Sequence, residues 1–220
     1  MTPRKILLVR HGNTFAPGDK VVWVGARSDL PLVAKGLEQA RVFGEAVRGA
    51  GLDVGPLRAG PLRRTRDFVR EAFGVAAEID DRLTEIDYGK WEGRTSEEVA
   101  AEIGKEPVAA WSERGVWPRM SGWKPGIDQV EANVAQVVAD LLALTDPTVP
   151  VVCTSQGILK FFAKRDAAFH ARGLSGTGGK PMSVPTGACC GVTLIEGRLR
   201  VDFWGQPPSP ALLKDWASAA

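Results

Sequence analysis

The chain has 220 residues, 44% of them hydrophobic and 25% charged, and its 28 Lys and Arg nearly balance 26 Asp and Glu for a net charge of +2. A domain of this size buries roughly 70% of the surface that its unfolded form exposes, so it needs neither disulfides nor a metal to hold a core. The small charge excess excludes the clustered positive field of a nucleic-acid binder, and no stretch approaches the ~20 apolar residues of a membrane span.

Met1 to Lys5 run directly into strand-like residues, which leaves no room for the apolar part of a signal peptide and predicts a cytoplasmic protein. Cys153, Cys189 and Cys190 make neither the even set of a disulfide scaffold nor the spaced pairs of a zinc site; in their β-like surroundings they read as small buried hydrophobes.

Lys5 to Arg10 is a short apolar run stopping at His11-Gly12, as a buried central strand does. From Lys35 to Val47 the residues Leu37, Ala40, Phe43 and Val47 recur at helical spacing, with Gly49 and Gly51 as stop signals. A brief strand is expected over Leu57–Ala59. The next helix opens at Pro61, buries Phe68, Val69, Ala72 and Phe73, and ends at Gly74. Ala76–Ile79 reads as a third strand. Thr95 and Glu98 have the spacing of a capping box for a helix closing near Gly104, and Asp128 with Glu131 repeats that signal ahead of Val130, Val134, Val138, Leu141 and Leu142. Val149–Thr154 is the fourth strand. Gly157–His170 follows as a helix, Gly173–Gly187 as a loop, and Ala188–Ile195 with Leu199–Phe203 as a hairpin turning at Glu196-Gly197.

Strands alternating with helices predict one α/β domain over residues 1–220: a three-layer sandwich with a mainly parallel central sheet flanked by helices, and a lid-like insertion around 105–128. Ligands of such sheets bind at the carboxyl ends of the strands. That directs attention to 11–14, 60–64, 80–85 and 155–157.

The segment Leu7-Leu-Val-Arg10-His11-Gly12-Asn13-Thr14 resembles the signature of the histidine phosphatase superfamily, the phosphoglycerate mutase-like family. Asp29-Leu-Pro-Leu32 with Gly36 and Gln39-Ala40, then Gly60-Pro-Leu-Arg-Arg64-Thr65-Arg66, then Leu83-Thr-Glu85-Ile-Asp-Tyr-Gly89-Lys-Trp-Glu-Gly93 are similar to its later motifs in order and spacing. The resemblance implies a phosphomonoesterase working through a phosphohistidine, without a metal or other cofactor. It places the nucleophile at His11, ligand-binding arginines at Arg10 and Arg64, and the proton donor at Glu85. Gly12, Asn13, Thr14 and Gln156 join as substrate-binding residues. A small phosphate ester is the implied partner, with phosphate or sulfate as stand-ins. A homodimer is compatible with the sequence, although no residue pattern sets the oligomeric state.

The residues suit that chemistry. Neutral imidazole, with a pKa near ~6.5, offers a lone pair at neutral pH and leaves readily once phosphorylated. Planar, permanently charged guanidinium groups grip two phosphoryl oxygens at once. A partly protonated carboxyl group can donate a proton to the departing alkoxide and later take one from water. Each residue also has a plainer reading: Arg64 shares its run with Arg63 and Arg66, solvated helix charges, and Glu85 competes with Asp80, Asp81 and Asp87, which suit turns and caps.

Two features depart from the family pattern. Where a second histidine usually follows the fourth strand, this chain has Ser155, then Gln156-Gly157; the other histidine, His170, would lie roughly 20 Å further along the helix at ~1.5 Å per residue, and reads as a surface or helix-end residue. Ser155 and the first amides of that helix are left as weaker oxyanion donors, which predicts reduced activity, losing one donor costing ~10²- to 10³-fold. A silent binder of phosphate esters is the alternative. Phe15-Ala-Pro-Gly-Asp-Lys20 and Pro125-Gly-Ile-Asp128 also differ from mutase-like relatives, which makes a phosphoglycerate mutase the weaker reading. Substrate choice is assigned to 15–28, with Trp23 and Arg27, and to 111–126, with Trp111, Trp117, Trp123, Arg114, Arg119 and Lys124; the tryptophans read either as lid walls or as loop anchors.

Overall fold

The computed structural model describes residues 3–119, 121–169, 171 and 181–219. Its elements in chain order are β1 (Arg4–Arg10), α1 (Ala34–Gly49), β2 (Val54–Ala59), α2 (Arg63–Phe73), β3 (Glu78–Ile79), α3 (Ser96–Ile103), α4 (Lys105–Arg114), α5 (Ile127–Ala143), β4 (Val149–Thr154), α6 (Gln156–Lys164), β5 (Cys189–Ile195), β6 (Arg198–Gln206) and α7 (Pro210–Ser218). Short 3₁₀ turns at Asp81–Leu83 and Gly89–Trp91 lie between β3 and α3.

The six strands form one sheet in the order β3-β2-β4-β1-β5-β6. β1, β2, β3 and β4 pair in parallel, and β5 runs against both of its neighbours, so it alone opposes the common direction. The buried run Ile6–Val9 explains why β1 is central: side chains on both faces are covered, each contributing about 1.5–3 kcal/mol. On one face Leu7 and Val9 join Phe43 of α1, Phe68 of α2 and Trp216 of α7; on the other, Ile6 and Leu8 join α5, α6 and the aromatic residues of α4. The three-layer α/β arrangement is as the sequence predicts. The helix after β1 and the helix after β4 therefore pack on opposite faces, which opens a crevice between the carboxyl ends of these two neighbouring strands.

Several boundaries differ from the expectation. α2 begins at Arg63 rather than Pro61, where Asp29 accepts the Arg63 amide at 2.6 Å. The Thr95–Glu98 capping box is present, but Asp128 does not cap α5; Gly126 holds that position and Asp128 lies in the first turn. α6 stops at Lys164, because the buried carboxylate of Asp166 accepts the Val201 amide of β6 at 2.8 Å and draws the chain to that strand. His170, residue 172 and residues 173–180 of the expected loop lie outside the described residues.

Two helices were not expected. The start of the presumed lid is the regular helix α4, with Pro107 in its first turn, where a missing N–H costs nothing, and Gly115 at φ +66° closing it. α7 opens with Ser209, whose hydroxyl accepts the Leu212 amide at 3.2 Å, followed by Pro210.

Candidate active site

A cavity of about 680 Å³ occupies the crevice, and Arg10, His11, Asn13, Thr14, Arg64, Glu85 and Gln156 all contribute to its wall. Residues from four motifs far apart in sequence thus converge. Gly12 and Ser155, also assigned to the site from sequence, are not among the residues that line it.

His11 leaves the end of β1 buried, with Nδ1 at 2.8 Å from the Gly12 carbonyl oxygen. A carbonyl only accepts, so Nδ1 carries the hydrogen and Nε2 keeps its lone pair. Burial, reinforced by the positive fields of Arg10 and Arg64, holds the imidazole well below its ordinary pKa of 6.5 and keeps it neutral. Gly12 is needed for its backbone: a Cβ there would stand 2.4 Å from the Gly36 carbonyl oxygen.

The two arginines are anchored by a few donors and keep others spare. Arg64 is 1% exposed and gives Nη1 to the Ser28 carbonyl at 2.7 Å and Nη2 to that of Gly25 at 3.2 Å, while its neighbours Arg63 and Arg66 are exposed. Arg10 gives Nη1 to the Val184 carbonyl at 2.7 Å. The Nε of each is buried with no hydrogen-bond partner among the described residues, an arrangement that costs free energy unless an anion is received there.

Glu85 sits beyond the 3₁₀ turn of Asp81–Leu83, which the Thr154 hydroxyl at the end of β4 holds by donating to the Leu83 carbonyl at 2.8 Å. Its carboxylate accepts the Ile86 amide at 2.9 Å and the Gly157 amide of α6 at 3.0 Å. Burial nevertheless outweighs these amides and the nearby Arg64 and Arg10, and raises its pKa above the usual carboxylate value. The competing acids are placed elsewhere: Asp80 is tied to Arg82, and Asp87 accepts from Arg27 at 2.9 Å. An amide of α6 expected to meet an anion thus serves Glu85 instead.

Ser155 occupies the N-cap position of α6 without capping it, and its buried hydroxyl has no partner among the described residues. Gln156 bridges three groups: its Oε1 accepts the Val184 amide at 2.8 Å and lies 3.5 Å from Arg10 Nη1, and its Nε2 donates to the Met182 carbonyl at 2.8 Å. Asn13 is fixed by the Gln39 side chain, which accepts its amide at 2.8 Å, and by the Thr186 hydroxyl, which donates to its Oδ1.

Sequence reasoning missed Lys160, Tyr88, Gln39 and Thr186. Tyr88 and Lys160 line the cavity, and the position of Lys160 one turn after Gln156 on a strongly apolar helix was the available signal. The tryptophans divide between the two readings. Trp111 and Trp23 contribute to the cavity wall, whereas Trp117 and Trp123 pack edge-to-face on Trp111, at 5.8 and 5.0 Å between ring centroids, and anchor the segment. Arg27, Arg114, Arg119 and Lys124, also offered as selectivity residues, are absent from the wall; Arg27 and Arg114 are engaged by Asp87 and Glu106. Among the described residues no three His, Cys, Asp or Glu side chains gather as a metal site would require, and no helix is long and apolar enough to cross a membrane.

Comparison with known proteins bears on the family and the fold. The family model for the histidine phosphatase superfamily (branch 1) matches residues 6–206. A relative from Salmonella paratyphi B named "Probable phosphoglycerate mutase GpmB" is 29% identical over 158 residues, 70% of either chain. Among solved structures, the mycobacterial glucosyl-3-phosphoglycerate phosphatase in complex with VO3 superposes with a TM-score of 0.71 at 22% identity, over 92% of this chain and 98% of that one. The alpha-ribazole phosphatase from Shigella flexneri does so with a TM-score of 0.64 at 21% identity, over 93% and 98%. At these identities the structural likeness speaks for the fold. With the family model spanning nearly the whole chain, and its motifs meeting in one cavity, the protein belongs to the histidine phosphatase superfamily, branch 1.

Proposed function

We propose that the protein is a phosphomonoesterase that acts through a phosphohistidine on His11. The observation that carries this reading is the buried His11 imidazole, its Nδ1 hydrogen committed to the Gly12 carbonyl and its Nε2 lone pair free, sharing one cavity wall with Arg10 and Arg64. In the first step Nε2 attacks phosphorus, the ester P–O bond breaks, and protonated Glu85 gives its proton to the departing oxygen. In the second, Glu85 takes a proton from water as its oxygen attacks phosphorus and the P–N bond breaks, releasing phosphate and restoring the imidazole. Arg10 and Arg64 neutralise the phosphoryl oxygens throughout, with Asn13, Thr14 and Gln156 orienting the ester. The spare Ser155 hydroxyl is the weaker donor at the position where the family resemblance implies a histidine.

Ser155 also supports a second reading, a binder of phosphate esters with little turnover, because it is not among the residues that line the cavity. Hydrolysis of p-nitrophenyl phosphate in the presence of chelator, by wild type, His11→Ala and Ser155→His, separates the two. The enzyme reading expects slow turnover with an acid-labile phosphoryl label on His11, loss of both in the first variant, and faster turnover in the second. Phosphate binding that depends on Arg64, with no turnover and no label, would establish the binder.

A further inference from the structure

Arg64 takes its direction from the carbonyls of Ser28 and Gly25, and both belong to the segment 23–28, which lies outside the helices and strands. A loop has no hydrogen-bond ladder of its own, so its shape comes from whatever its backbone and side chains are tied to. Here the ties run to residues 86–94. The Ala26 amide donates to the Ile86 carbonyl at 3.1 Å, the Trp23 amide to the Arg94 carbonyl at 2.9 Å, and the Gly93 amide to the Trp23 carbonyl at 2.9 Å. Arg27 Nε donates to Asp87 Oδ1 at 2.9 Å, and the Ser28 hydroxyl to Glu92 Oε1 at 2.7 Å.

Glu92, which ends the 3₁₀ turn of Gly89–Trp91, touches both anchors of Arg64. Its Oε1 holds Ser28, and its Oε2 lies so close to Gly25 that a Cβ there would stand 2.8 Å from it. The Glu92 side chain is 4% exposed, and Oε2 has no hydrogen-bond partner among the described residues. The cation within ion-pair distance, Arg27 at 3.4 Å, is itself 58% exposed and shared with Asp87. A carboxylate held out of water with so little compensation costs free energy that a neutral loop residue would not. Its position accounts for that cost: displace the carboxylate, and the Ser28 and Gly25 carbonyls that orient the guanidinium lose their common support. Resting on the phosphoryl-binding role proposed above for Arg64, we infer that Glu92 is a positioning residue that aims the Arg64 guanidinium at the incoming phosphate through Ser28 and Gly25.

Titration calorimetry of the full chain with inorganic phosphate tests this without requiring turnover. Glu92→Ala should weaken binding ~10-fold, the worth of one hydrogen bond to a charged group, and Glu92→Gln, which keeps an acceptor for Ser28 but not the charge, should recover part of that loss. The decisive comparison is a pair of double-mutant cycles. In an Arg64→Lys background Glu92→Ala should cost little more, because the fork that it aims is gone; in an Arg10→Lys background it should keep its full effect. A general disturbance of the cavity would weaken binding alike in both backgrounds and overturn the inference, as would an unchanged affinity in Glu92→Ala. Ser28→Ala, which cuts the same link by removing one hydroxyl, carries the cycles if Glu92→Ala folds poorly. Phosphate affinity indifferent to Arg64→Lys would sink the inference together with the role of Arg64, whereas the expected coupling in a protein that hydrolyses nothing would sink the enzyme reading alone.

Discussion

Gly157→Ala tests whether the position of the Glu85 carboxyl limits the reaction. A Cβ at residue 157 would stand 2.3 Å from Glu85 Oε1 and 2.6 Å from the Tyr88 hydroxyl, where ordinary contact begins at 3.4 Å. The carboxyl group must therefore retreat by roughly 1 Å, and a displacement of that size can cost ~10²-fold in rate, or about 2.7 kcal/mol of transition-state stabilisation. The Ala favours helix α6 by ~0.5–1 kcal/mol, which offsets part of any damage to the Gly157–Glu85 hydrogen bond, so the melting temperature should move little. The assay is kcat/KM, which reports the steps up to phosphohistidine, for p-nitrophenyl phosphate and for glycerol 3-phosphate. Nitrophenolate leaves without a proton and an alkoxide does not, so the loss should fall mainly on glycerol 3-phosphate. An equal loss on both substrates, or none, would refute the assignment of Glu85 as proton donor.

Three further outcomes are expected. Since Glu85 must be protonated to act as the acid, and burial raises its pKa, kcat/KM for an alkyl phosphate should hold through mildly acidic pH and fall as pH rises through that elevated value; His11, held well below 6.5, should place the acid limb below that pH, and a limb at 6.5 would contradict the buried imidazole. Lys160→Met should stabilise the fold in a pH-dependent manner: the folded pKa of about 7 lies below the ordinary 10.5, so the cost of the charge is absent above 10.5, grows as pH falls, and is complete below 7, where its ceiling is about 5 kcal/mol; denaturant unfolding at pH 6 and pH 10 should show a larger gain at pH 6. Glu196→Asn should add ~0.5–1 kcal/mol, because Glu196 holds φ +51° in the β5–β6 turn beside Gly197 at φ +77°, a pair for which Asn-Gly is the favoured sequence; unchanged thermal stability would count against turn strain.

The parts of the fold that could be read from the chain are those where one kind of signal dominates. β1 and β4 are uninterrupted apolar runs ending in polar residues, and they emerge as central strands with those ends meeting at the cavity. Arg64 could be picked from three arginines only by motif register, and it is the buried one. α4 was hidden because its residues fell within the stretch 105–128 read as a lid-like insertion, although Pro107 and Gly115 are compatible with the ends of a helix. Lys160 was hidden for a different reason. Its neighbours Ile158, Leu159, Phe161 and Phe162 are all buried, so its own burial follows from three-dimensional packing and not from any local pattern.

The attachment of Glu85 to both its own loop and the first turn of α6 makes the proposed proton donor a joint product of segments more than seventy positions apart. Loosening of either segment would silence the chemistry before the sheet itself melts. Under gentle heat or low denaturant, inactivation should then precede the loss of circular-dichroism signal, and catalytic output would serve as an early gauge of local loosening around this joint.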